Sequence, residues 1–158
     1  GWGGGGGQRR GATRTVVGGG GAGQAAKCRN HFGVAGIIGD DAEALAFAGA
    51  HGRNRGKVSG TLGHGAAANW YRTHRGPNME RGAYPPGFRV RLHQKDLNIC
   101  HQMARACGAE LPVVEATLSG YTQRVAAGYG DEDNSAIDRL KTAWFARPVG
   151  RWRWYGEP

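Results

Sequence analysis

The chain has 158 residues, a formal net charge of +9 and 30 glycines, enough for one domain with a core and too few for two full ones. It contains no run of about 18 apolar residues, so a membrane-spanning helix is not expected, and its first residues lack the apolar centre of a signal peptide. Cys28, Cys100 and Cys107 form no C-x-x-C pair, which fits free thiols in a reducing compartment and makes the cytoplasm the expected location.

In chain order, residues 1–17 read as a flexible Gly/Arg-rich lead. "TVVGGGGAGQAAKCRN", residues 15–30, then admits two architectures. Gly18-x-Gly20-x-x-Gly23 follows an apolar β-branched stub, and Asp40 and Asp41 lie about 20 residues on, the spacing of a dinucleotide-binding phosphate loop. In the other architecture residues 24–51 form one long helix. Gly33, Gly36 and Gly39 oppose it at up to about 1 kcal/mol each relative to alanine. A doubly wound domain alternates strands and helices over about 100 residues or more. At most one β-α-β unit would fit here, at residues 14–39, so the expectation leans to the helix.

Residues 52–94 are loop-rich with short helices, and Pro85-Pro86-Gly87 must turn or extend. A helix is predicted over 95–107, where Leu97, Cys100, Met103, Ala104 and Cys107 make one stripe and Gly108 stands in the stop position. The next begins at Pro112, which suits a first turn, carries Val114, Leu118, Tyr121 and Val125 on one face, and ends at Gly128. The last has acidic residues at its start, where the helix dipole favours them. Ile137, Leu140 and Trp144 are its stripe and Pro148 its close, with Asp131, Asp133 and Ser135 expected to cap it. Residues 148–158 carry no periodic signal. The expected fold class is all-α.

Two blocks carry a resemblance. "PPGFRVRLHQKDLNICHQMARACGAELPVV" and "GYGDEDNSAIDRLK" are similar to the C-terminal helical domain of the β-hydroxyacid dehydrogenase family, which includes 3-hydroxyisobutyrate dehydrogenase and tartronate semialdehyde (2-hydroxy-3-oxopropionate) reductase; 6-phosphogluconate dehydrogenase has a similar helical domain. "LHQKDLN" is closest to the tartronate semialdehyde branch. "GAGQAAKCRN" falls at the family's Gly-x-Gly-x-x-x-Lys-x-x-Asn motif, and "GHGAAANWYRTHRGPNME" is a weaker match. The resemblance covers roughly residues 18–145. It implies a helical substrate and dimerisation domain over 18–147, a Rossmann domain supplied elsewhere, NAD or NADP as cofactor, a small hydroxy-acid substrate and a homodimer formed through the helices. The family's phosphate loop belongs to that other domain, so the glycines at 18–23 become the approach to a helix.

The implied reaction is reversible hydride transfer between a nicotinamide and a 3-hydroxy acid, which needs a group that takes and returns the hydroxyl proton. A lysine does this when partial burial or a neighbouring cation brings its proton affinity toward neutrality. Lys27 matches the family's catalytic lysine. Gly21, Gly23 and Asn30 match its substrate-binding positions, at a helix start that also favours a carboxylate. His31 stands where the family commonly has a second amide, and is expected to contact substrate as a donor or a second titrating group. Lys95 and Asp96 match a Lys-Asp pair on the cofactor side of the cleft, and Phe88 is expected to line the cleft near the nicotinamide. No His or Cys spacing suggests a metal. The alternative reading is a single-stranded nucleic-acid-binding protein, carried by the net charge, "GGGGGQRRGATR" and the Arg/Trp alternation "RWRWY", which could stack bases beside phosphate contacts.

Overall fold

The computed structural model describes residues 18–19 and 22–146. Among them are six helices: α1 (Ala22–Ala50), α2 (Arg55–Leu62), α3 (Trp70–Arg81), α4 (Val90–Ala106), α5 (Pro112–Ala126) and, after a 3-10 turn at Asn134–Ala136, α6 (Ile137–Phe145). The only pairing of strand type among the described residues is an isolated antiparallel bridge between Arg89 and Asp133. The chain is all-α. The expected lead at 1–17, the glycines Gly20 and Gly21, the tail at 148–158 and both basic segments of the nucleic-acid reading lie outside the described residues.

α1 answers the question posed by residues 15–30. It is one helix of 29 residues, so Asp40 and Asp41 continue it instead of ending a second strand. Ala35, Ile38, Ala42 and Leu45 recur at three- and four-residue spacing and are all buried, and that buried face offsets the helix cost of Gly33, Gly36 and Gly39. Two of those glycines face α5. A Cβ at Gly36 would meet Val113 at 3.5 Å, and one at Gly39 would meet Thr117 at 3.9 Å. The Thr117 hydroxyl donates to the Ala35 carbonyl at 3.2 Å, so the α1 backbone lies within reach of an α5 side chain.

α4 begins at Val90, five positions before the predicted start at residue 95. The Val90 and Arg91 amides donate to the Glu132 and Gly130 carbonyls, and Val90 and His93 are fully buried, which extends the helix toward the loop. Lys95 and Asp96 therefore sit inside α4 and not at its start. Upstream, Asn54 and Asn69 cap α2 and α3, their side chains accepting from the Lys57 and Arg72 amides. Gly108 and Gly128 close α4 and α5 with φ of +73° and +87°, as the stop positions required. The predicted stripes hold at one end only. Leu97, Cys100, Val114, Tyr121 and Ile137 are buried, whereas Met103, Cys107, Val125 and Trp144 are exposed.

Asp133 caps the 3-10 turn, accepting from the Ser135 amide at 3.1 Å and its hydroxyl at 2.6 Å. Asp131 pairs with Arg89 and Arg91. Asp133 also fixes the loop before α4, since its carboxylate accepts from the Phe88 amide at 3.0 Å. A Cβ at Gly87 would come to 2.7 Å from that carboxylate and 2.5 Å from Arg75. Gly87→Ala should therefore destabilise the chain by about 1–3 kcal/mol, the usual cost of overpacking, read by denaturant unfolding. Unchanged stability would mean that the loop yields freely.

Candidate active site

Four of the expected site residues meet where the first turns of α1 face the middle of α4. Lys27 and His31 are one turn apart on α1 and share a face. Asp96 of α4 lies between them, 3.8 Å from Lys27 Nζ and 3.5 Å from His31 Nε2. The Lys27 side chain is 55% exposed and that of His31 only 11%. Phe88, half-buried in the loop before α4, sets its ring 5.9 Å from the His31 ring.

Beneath this cluster is a residue the sequence reading did not single out. His93, three residues before Asp96 on α4, is fully buried. Its ring lies 5.5 Å from His31 and 5.3 Å from Phe88. Nδ1 is 2.9 Å from the Tyr121 hydroxyl and 3.3 Å from Asn134 Nδ2, and Asn134 accepts from the Tyr71 hydroxyl at 2.9 Å. A polar chain thus runs from α3 through the 3-10 turn to α4 and α5 under the exposed residues. Burial, with the positive charge His31 can carry adding to it, lowers the His93 pKa to about 4. Burial likewise pushes the hydroxyls of Tyr71 and Tyr121 well up.

This has a consequence for acid stability. The unfolded chain takes up a proton at His93 near pH 6.5, but the folded chain does so only near pH 4. The folded pKa is depressed, so stability is full above pH 6.5 and falls as pH drops through that window. The loss is up to about 3 kcal/mol for this one group. His93→Gln should flatten that part of the stability–pH curve relative to the parent; parallel curves would show that His93 charges freely in the fold.

The remaining expected site residues lie elsewhere. Asn30 is exposed and lines a shallow groove with Arg29, Gly33, Val34 and Ile37. Lys95 is exposed on α4, and Gly23 is exposed in the first turn of α1. Gly21 is outside the described residues. A Cβ at Gly23 would meet no atom within 4 Å, so the chain's own packing does not require glycine there. Among the described residues no three His, Cys, Asp or Glu side chains are grouped to hold a metal ion, and no helix is long and apolar enough to cross a membrane.

Residues 21–140 match the family model described as NAD-binding of NADP-dependent 3-hydroxyisobutyrate dehydrogenase. The chain is 35% identical over 115 residues to 2-hydroxy-3-oxopropionate reductase of Escherichia coli (strain K12), covering 73% of this chain and 39% of that protein. It is 34% identical over 124 residues to an uncharacterized oxidoreductase, YkwC, of Bacillus subtilis (strain 168), covering 78% and 42%. Among solved structures, 3-hydroxyisobutyrate dehydrogenase from Salmonella typhimurium superposes with a TM-score of 0.71 at 31% identity, over 76% of this chain and 42% of that one. The chain therefore spans about two-fifths of the length of these relatives.

Proposed function

The chain belongs to the 3-hydroxyisobutyrate dehydrogenase family, and from that premise we propose that it is the helical half of an NAD(P)-dependent dehydrogenase acting on a small 3-hydroxy acid of the 2-hydroxy-3-oxopropionate or 3-hydroxyisobutyrate type. The observation that carries the proposal is the meeting of Lys27, His31 and Asp96 at 3.5–3.8 Å beside Phe88, brought from two distant blocks of sequence.

The residues present fit a nicotinamide and not a whole dinucleotide. Phe88 offers an apolar ring face, and Gly23 leaves open space at the start of α1. No strand–turn–helix phosphate cradle occurs among the described residues. The phosphates would rest on a Rossmann domain supplied elsewhere. A bound nicotinamide supplies or accepts the hydride. Lys27 Nζ gives a proton to the carbonyl oxygen on reduction and takes it from the hydroxyl on oxidation. Asp96 draws Lys27 and His31 into one geometry. Nε2 of His31 faces Asp96, which leaves Nδ1 to the substrate, and the first-turn amides of α1 favour the substrate's carboxylate. Phe88 walls the site against water. Asn30 and Lys95, both exposed, would need the second domain to bring a ligand to them. The free thiols suit a cytoplasmic setting. Exposed Phe47, Trp144 and Phe145 give the helices an apolar surface for a homodimer.

The test is reconstitution. The chain alone, with NADPH or NADH and tartronate semialdehyde, should turn over negligibly, and fusion to a Rossmann domain of the family should restore turnover. Full activity of the chain alone would overturn the division of labour. An inactive, folded fusion that binds cofactor would overturn the reaction.

A further inference from the structure

A second cluster of side chains lies on the other flank of Lys27, and the reaction above makes no use of it. Cys28 of α1 is 5% exposed and Cys100 of α4 is 2% exposed. The Cys28 thiol donates to Met103 Sδ at 3.6 Å, and the Cys100 thiol neighbours that of Cys28. Cys100 and Met103 are three residues apart on α4, so both side chains leave the same face and meet Cys28 from across the helix pair. Three sulfurs therefore gather where α1 meets α4, with the Cys28 thiol directed at the thioether. Met103 is 38% exposed and gives the cluster an edge to solvent.

We propose that Cys28, Cys100 and Met103 form a binding site for a soft, thiophilic monovalent cation, with Cu(I) the ion that suits it. Two thiolates and a thioether are the donor set that selects Cu(I). A structural zinc takes four ligands of the Cys and His type, and the described residues offer no such group. A disulfide between the two cysteines would leave Met103 without a role, whereas a trigonal ion uses all three sulfurs. Binding one ion replaces two S–H protons, which pass to solvent. Thiol ligands must lose their protons to bind, so affinity for the ion climbs with pH.

The experiment uses the full 158-residue chain carrying Cys107→Ser, which removes the exposed thiol. Anaerobic titration with Cu(I) buffered by a chromogenic chelator should show one ion bound per chain, thiolate-to-copper absorption in the ultraviolet and release of two protons. Cys28→Ala and Cys100→Ala, each checked for native helicity by circular dichroism, should lose the ion. Met103→Leu keeps the volume and should weaken binding on the order of 10–100-fold, as loss of a supporting partner does at metal sites. Three results would overturn the site: Cu(I) uptake unaffected by Cys100→Ala, equal one-to-one retention of Zn(II), or oxidation of the pair to a disulfide with no ion retained.

Discussion

Lys27→Ala, in the chain fused to a cofactor-bearing Rossmann domain, should lower kcat on the order of a hundred- to ten-thousand-fold, the range for loss of a positioned general acid–base. Little else should change. The Lys27 side chain is 55% exposed and pairs with Asp96 at 3.8 Å. Exposed pairs of that kind contribute about 0–1 kcal/mol, so the unfolding midpoint should stay near the parent's. Lys27→Arg sharpens the test. The guanidinium keeps the charge beside Asp96 but does not give up a proton in proteins. Turnover should fall nearly as far as with alanine while KM for the hydroxy acid stays close to the parent value. An arginine variant with near-parental kcat would mean that the site needs only a cation at position 27, and proton transfer would have to be sought at His31.

That last possibility bears on what the sequence can and cannot encode here. The helices α4, α5 and α6 are legible because each has a stripe at three- and four-residue spacing and a glycine or acidic cluster at its ends. α1 is harder. Its buried face mixes alanines with Cys28, His31 and Asp41, and Ile38 and Leu45 are its only large aliphatic members, so its periodicity is faint and three glycines speak against it. Packing against the helices that surround it makes it continuous. The site divides in the same way. Lys27, His31, Phe88 and Asp96 stand in recognisable blocks. His93 stands in the same block as Asp96 but is not marked out there, because its partners Tyr121 and Asn134, and Asn134's own partner Tyr71, come from three other elements, and no spacing along the chain records a contact of that kind. The one local clue is its position three residues before Asp96, on the same face of α4.

The largest effect on stability should come from a buried ion pair whose acid, Asp41, is one of the two aspartates of the phosphate-loop reading. Asp41 of α1 is 1% exposed and Arg72 of α3 is 4% exposed. Arg72 Nε donates to Asp41 Oδ1 at 2.7 Å, Nη2 reaches the same oxygen, and Asn69 adds a weaker bond at 3.4 Å. Asp41 Oδ2 and Arg72 Nη1 are buried with no partner, so the pair is incompletely satisfied. Arg72→Met should cost about 3–5 kcal/mol at neutral pH, because it strands a buried carboxylate. Burial already outweighs Arg72 and pushes the Asp41 carboxyl above its usual range, and without the guanidinium it rises further. A folded-state pKa raised above the unfolded one favours folding at low pH and loses that advantage as pH rises through the folded value. The deficit of Arg72→Met should therefore shrink as pH falls through the raised value at which the stranded group takes up a proton. Combining it with Asp41→Leu removes both charges and both orphan atoms, and should recover most of the loss at pH 7, as buried pairs replaced by apolar groups often do. Denaturant unfolding at pH 5 and pH 7 reads both variants against the parent. If the double variant is no more stable than Arg72→Met alone, the stranded carboxylate is not the source of the cost, and the loss lies in the packing of Arg72 between α1 and α3.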